Sequence, residues 1–310
     1  MYTKRDWKEK REERVNKMSN YNTLIYEDKK LANDFLERNF YRDFRQGRKV
    51  IEIFLIGACK ANCSYCYLKK HVKDLYPLNL HNYDTIINNL EKTLNWYISN
   101  KFCCNFDIFS AEWLTTPLAD RVFDTFYNAF EKIDFRLRPS QIGMADNMQF
   151  LKNDTLTQKI EYQIERFEKL GISIYISASV DGKYCEYGRT ECDDNYYKKL
   201  NDFCMKHHFR PHPMISSENI KDWISNYQWW RNNFDDEIVQ ELMTLEIRDN
   251  TWDENTISQL IQYCDFLVDY KFKEFNNNKE EFLKYVFDLY REEYNEHSPL
   301  APYNIIALRG

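Results

Sequence analysis

Between residue 49 and about residue 275, short apolar runs alternate with amphipathic helical stretches, and this alternation constrains the fold more than any other feature of the chain. Lys49–Gly57 is a continuous apolar run (Val50, Ile51, Ile53, Phe54, Leu55, Ile56) that ends in glycine, the pattern of a buried strand. Cys104–Phe109 reads as a second strand. Ile172–Val180 is the clearest, with Ile172, Ile174, Ile176, Ala178 and Val180 on alternate positions. Asp134–Ile142 reads as a strand interrupted by Pro139. Phe209–Ser216 reads as another despite Pro211 and Pro213, and Glu237–Arg248 contains a sixth. Helical spacing fills the intervals at Asp84–Ile98, Leu118–Phe130, Thr157–Leu170, Asp194–His208, Glu218–Asn233 and Asn255–Tyr270. The third of these stops at Gly171, a C-terminal signal. Six β-α units predict an α/β fold with a parallel sheet and helices outside it. An eight-unit barrel needs about 250 residues. Six units in roughly 225 residues suit a partial, open, TIM-like (β/α)6 barrel, whose chemistry belongs at the C-terminal ends of the strands.

Charge and composition narrow the function classes. Forty-three basic against 49 acidic residues give a net charge of −6, which argues against a non-specific nucleic-acid binder. Only 7 of 310 residues are glycine, and neither G-x-G-x-x-G nor a Walker sequence occurs, so glycine-built phosphate loops are nearly excluded. The longest apolar run, Ile53–Ala58, is too short for a membrane-spanning helix. The first residues mix Lys4, Arg5, Asp6, Lys8, Glu9 and Lys10 and lack the apolar core of an export signal. A cytoplasmic location with reduced cysteines is expected. The expected organisation is a charged helical extension over residues 1–45, the partial barrel over 46–275, and a C-terminal remnant, or the start of a missing domain, over 276–310.

Three of the 9 cysteines crowd together on the loop that follows the first strand. Cys59, Cys63 and Cys66 are spaced C-x3-C-x2-C. Three thiolates on one loop can ligate three irons of a [4Fe–4S] cube. The fourth iron then stays open for a substrate, by the logic that separates catalytic from structural metal sites. Zinc is the alternative. It needs a fourth ligand, for which His71 is the nearest candidate. Cys103, Cys104, Cys204 and Cys264 read as packing residues. Cys185 and Cys192 lie on a loop near the expected active face.

The stretch from Cys59 to Tyr67, with an aromatic residue before the last cysteine, resembles the radical S-adenosylmethionine superfamily. The resemblance covers most of residues 49–275. It implies a [4Fe–4S] cluster on Cys59, Cys63 and Cys66, with Tyr65 shielding the cluster or lying near adenine. In that family the open iron chelates the amino and carboxylate groups of S-adenosylmethionine, and one-electron cleavage yields a 5′-deoxyadenosyl radical that abstracts hydrogen from a substrate. Phe109-Ser110-Ala111-Glu112 stands where the family has a Gly-Gly-Glu-like motif. Ser110, Ala111 and Glu112 are thereby implied to hold the methionine amino group, although both glycines are replaced. Ile176-Ser-Ala-Ser179-Val-Asp181-Gly182 resembles the family's fourth strand, so Ser179, with Arg189 downstream, would hold the carboxylate. His212-Pro-Met214-Ile215 looks like the segment that flanks adenine.

Leu245–Trp252 resembles the peptide- and protein-modifying branch that carries a cysteine-rich SPASM domain, although no cysteine follows Cys264. The resemblance implies an oxidoreductase-type enzyme acting on a peptide or protein, with a flavodoxin- or ferredoxin-type electron donor. A small molecule or RNA as substrate, and a degenerate, non-catalytic peptide-binding member, stand as alternatives. Asp181 and Glu246 are the candidate catalytic acids or bases, Asp181 being equally readable as a turn residue.

Overall fold

The computed structural model describes residues 37, 41–55, 59, 61, 63, 66, 83–110, 112–185, 192–239, 246–247, 252–276, 278–281 and 283–284. The expected N-terminal extension lies mostly outside them. Its described part ends in a short helix, α1 (Arg42–Arg45). Most of the expected C-terminal segment also lies outside.

Four parallel strands form one sheet in the order β1 (Val50–Ile53), β2 (Asn105–Ile108), β3 (Gln141–Asp146), β4 (Ser173–Ala178). A helix intervenes between each pair: α2 (Tyr83–Ser99), α3 (Leu118–Glu131) and α4 (Asp154–Glu168). Then come α5 (Asp194–His207), β5 (Met214–Ile215), α6 (Trp223–Asn233), α7 (Asp236–Val239), β6 (Glu246–Ile247) and α8 (Glu254–Glu274). β5 and β6 pair in parallel as a second, two-stranded sheet. One parallel bridge, Ala178 to Pro211, joins it to β4. The Ala178 N–H donates to the Arg210 carbonyl at 3.0 Å, and the His212 N–H donates to the Ala178 carbonyl at 2.6 Å. The chain is an α/β protein with parallel sheets, consistent with a partial barrel.

Alternation along the strands builds the core. Register sets Ile142 beside Phe106 and Ile174, and Met144 beside Ile108 and Ile176, so one face of the sheet is continuously apolar. Helices cover that face. Phe106 meets Tyr97 of α2 at 5.0 Å between ring centroids, and Phe126 and Phe130 of α3 at 5.3 and 5.8 Å. The opposite face carries a row of Glu52, Asp107, Gly143 and Tyr175. Burial, and then the charge of Glu52, push the Asp107 carboxyl upward.

Helix starts follow side-chain caps. Asn153 Oδ1 accepts from the Thr155 and Leu156 N–H groups, so α4 begins at Asp154 rather than Thr157. Asp253 and Thr256 form a capping box at the start of α8. A 3-10 turn, Ile220–Asp222, precedes α6 where one continuous helix is expected.

Three strands depart from the sequence reading. β1 is half exposed instead of buried, because it is the edge of its sheet among the described residues. The third strand lies later than Asp134–Ile142. The Asp134 carboxylate accepts from the Arg136 N–H and nucleates the turn Phe135–Leu137, and the strand begins only after Pro139. Phe209–Ser216 contracts to a two-residue strand and an isolated bridge at Pro211, because Pro211 and Pro213 have no N–H to donate. Of Glu237–Arg248, only Glu246–Ile247 pairs as strand among the described residues.

Candidate functional site

The C-terminal ends of the parallel strands bring the candidate residues to one edge. The thiol loop follows β1. Ser110 and Glu112 follow β2, Asp146 ends β3, and Ser179 follows β4. Cys59 Sγ lies 3.8 Å from Glu112 Oε2, with the thiol as donor. Glu112 is 8% exposed, and its other oxygen accepts from Thr115 Oγ1 at 3.0 Å. The Cys59 residue reaches the surface, but burial of its sulfur raises the thiol pKa. The Ala61 and Glu112 N–H groups act the other way by donating to the sulfur, and the Glu112 and Cys63 charges add to the rise. Within the loop, the Cys66 N–H donates to the Cys63 carbonyl at 3.3 Å. Cys63 and Cys66 are half-buried, and none of the three thiols is in a disulfide.

Asp146 is a residue that the sequence reading does not single out. It is 3% exposed. Its Oδ1 accepts from the Met148 N–H at 2.6 Å, across a turn in which Met148 is left-handed (φ 58°). Its Oδ2 is buried with no hydrogen-bond partner among the described residues. Burial pushes this carboxyl up to about 7, the Met148 N–H opposes the rise, and the Glu112 charge adds to it. The main-chain carbonyl of Asp146 accepts from the Ser179 N–H at 2.7 Å. A polar Asp-Asn pair directly after the Ile142/Met144 alternation is the sequence signal for this strand end.

Asp181 is fully buried, and its known hydrogen bonds serve the framework. Its Oδ1 accepts from the Met214 N–H at 2.6 Å. Its carbonyl accepts from Asn226 Nδ2 at 2.6 Å and Trp230 Nε1 at 3.3 Å. Asn219 completes the clamp on β5 by donating from Nδ2 to the Met214 carbonyl at 2.9 Å, while its Oδ1 accepts from the Ser216 N–H and Trp223 Nε1. Met214 is therefore fixed at both main-chain groups. Glu246 lies on β6, in register with Met214. Tyr65, Ala111 and Arg189 fall outside the described residues, as does His71. Cys185 is buried against the Asn219 carbonyl, and Cys192 accepts from Gln149 Nε2, so the two thiols engage different groups. Among the described residues, no group of three or more His, Cys, Asp or Glu could hold a metal ion. No described helix is long and apolar enough to cross a membrane.

The fold and this edge define a parallel α/β protein with a thiol loop and three buried acids, Glu112, Asp146 and Asp181, at its carboxyl end. No protein-family model matches the chain, and no curated protein matches it. Among solved structures it is similar to the crystal structure of Streptococcus suis SuiB bound to S-adenosylmethionine, at 15% identity and a TM-score of 0.42. That likeness covers 82% of this chain and 50% of the other, so the chain spans about half the length of that protein. At this level it assigns neither ligand nor activity.

Proposed function

We propose that the chain is a radical S-adenosylmethionine enzyme in which Cys59, Cys63 and Cys66 hold a [4Fe–4S] cluster. One observation carries the reading: the C-x3-C-x2-C loop leaves β1 at the carboxyl edge of the sheet, and its first thiol stands against Glu112 at the end of the neighbouring strand. The donor set fits a cube. A cube takes one thiolate per iron corner, which spreads the cysteines apart. Main-chain N–H groups from Ala61 and Glu112 directed at the Cys59 sulfur suit a ligating thiolate, whose charge such donors stabilise.

When bound, the cluster supplies the electron for reductive cleavage of S-adenosylmethionine and so for hydrogen abstraction from the substrate. The protein's own part is to hold, orient and exclude water. Ser110, Ala111 and Glu112 accept from the amino group. Ser179 and Arg189 take the carboxylate. Met214, clamped by Asp181 and Asn219, offers an apolar contact for adenine. The substrate class is a peptide or protein, by the likeness of Leu245–Trp252 to the peptide-modifying branch. The electron donor is a reduced flavodoxin or ferredoxin, and the location is the cytoplasm.

The test is anaerobic reconstitution with iron and sulfide, followed by reduction in the presence of S-adenosylmethionine. The expected result is about four irons per chain and 5′-deoxyadenosine. One tightly held zinc and no cluster would overturn the proposal.

A further inference from the structure

We propose that the outer edge of β1 is the docking line for the peptide substrate: an extended segment adds to the sheet beside Val50–Ile53 and lays a basic side chain against Glu52 and Asp107. The inference rests on the reading of the chain as a peptide-modifying enzyme, and it names the docking surface and the residue pattern that the surface selects. Three observations support it. The first is an open row of main-chain groups. β1 stands at the end of the strand order and pairs only with β2 among the described residues. The Phe109 N–H donates to the Ile53 carbonyl at 2.9 Å, so Ile53 turns its main chain toward β2. Successive strand residues alternate in direction. Ile51 therefore faces β2 as well, and Val50 and Glu52 turn their N–H and C=O groups to the outer edge. Strand addition satisfies such groups, and β1 carries neither a proline nor a bulge to block it.

The second observation is the side-chain pattern beside that edge, on the face away from the helices. Val50, Glu52 and Phe54 share this face by alternation, and the register sets Asp107 next to Glu52. Val50 is 51% exposed and Glu52 is exposed. Neither acid is in a hydrogen bond or ion pair among the described residues. The Phe54 and Phe109 rings lie 6.4 Å apart between centroids, and Phe109 is exposed. The edge thus reads apolar, acidic, aromatic in steps of two residues. The third observation is direction. β1 runs toward the loop that bears Cys59, so a segment laid along it continues to the place where Cys59 meets Glu112. A strand-paired guest meets its host at the same two-residue step. The pattern selected is a lysine or arginine over the two acids, with an apolar residue two positions away on either side. The stem of the basic chain packs on the exposed phenylalanine while its charge meets the carboxylates. A second copy of this chain fits worse, because antiparallel pairing of two β1 edges gathers two Glu52 and two Asp107 carboxylates on one face.

Binding of the fluorescein-labelled peptide Ser-Val-Thr-Lys-Thr-Val-Ser to the anaerobically reconstituted protein, read by fluorescence anisotropy, tests this. The expected result is saturable binding that weakens about tenfold or more when Glu52→Gln and Asp107→Asn remove both charges, and equally when glutamate replaces the peptide lysine. Glu52→Lys should restore affinity for the glutamate peptide, a reversal that a merely structural role of Glu52 does not produce. Methylating alternate amides of the peptide should abolish binding in one phase and spare it in the other, because only every second N–H faces β1. Equal affinity of wild type for the lysine and glutamate peptides, or indifference to the phase of methylation, would overturn the inference. A dimer that the β1 substitutions dissociate, with no peptide bound, would overturn it in favour of a second copy. Deoxyadenosine formation reads the enzyme assignment separately. Its presence without peptide binding removes the docking line alone, and peptide binding to a chain that takes up no cluster removes the enzyme reading alone.

Discussion

Replacing Gly182 by alanine tests the framework that holds the carboxyl edge. Gly182 follows Asp181 at φ +100°, a region that L side chains rarely adopt. A Cβ there would press on the Trp230 indole nitrogen and lie 2.6 Å from Asn226 Oδ1. These two side chains are the donors to the buried Asp181 carbonyl. The substitution therefore adds backbone strain of about 1–3 kcal/mol. It also displaces hydrogen bonds to a buried group, which costs about 1–3 kcal/mol more. A total of about 2–6 kcal/mol is a large part of the roughly 5–15 kcal/mol that holds a typical protein folded. Gly171→Ala is the control. Gly171 also has positive φ, +75°, but a Cβ there meets nothing within 4 Å, so strain of about 1–2 kcal/mol is the whole cost. Urea unfolding of both variants should show a lower midpoint at similar slope, with Gly182→Ala the worse by the hydrogen-bond contribution of about 1–3 kcal/mol. Thermal unfolding should place it on the order of 10 °C below wild type. Equal destabilisation of the two variants would refute the steric argument.

Other consequences can be measured in the same way. Cys63→Ala should lose iron on reconstitution and with it deoxyadenosine formation, while its circular dichroism and melting curve stay those of a folded chain; full iron loading would contradict the ligand assignment. His208 is exposed and left-handed (φ 55°) at the C-terminus of α5, so His208→Gly should raise stability by about 0.5–1 kcal/mol, read as a higher Tm. Burial raises the Asp146 pKa to about 7 from an ordinary 3.8, so the folded state favours its protonated form, and its contribution to stability is lost as pH rises from about 4 through 7. Asp146→Asn should therefore gain on wild type over that window and stay ahead above it, as urea midpoints at several pH values would show.

The alternation of elements was legible because the strands carry their pattern on the surface of the sequence. Ile172–Val180 alternates without interruption, and the structure pairs its core as β4. Where prolines intrude, the local pattern misleads. Phe209–Ser216 has strand composition but lacks two of the N–H groups a ladder needs. Asp134–Ile142 has apolar residues, but the Asp134 carboxylate competes for the backbone and wins a turn. At the site, the thiol loop and Glu112 can be read from their places after successive strands. The position of Asp146 becomes clear only once β3 is known to run to residue 146. Asp181 presents itself locally as an acid or a turn. Its hydrogen-bond partner, the Met214 N–H, lies 33 residues away, a pairing that no local window contains.

Because β4 and β5 share a single bridged rung at Ala178 and Pro211, the carboxyl edge stands on two leaves rather than one rigid wall. Cys59, Glu112, Asp146 and Ser179 ride on the first leaf, and Met214 rides on the second. Pro211 has no N–H to lend to that seam, so the ladder does not zip further at this residue. The Asp181 clamp on Met214 adds a side-chain tie across that joint, so a residue chosen for a turn also fastens one leaf to the other.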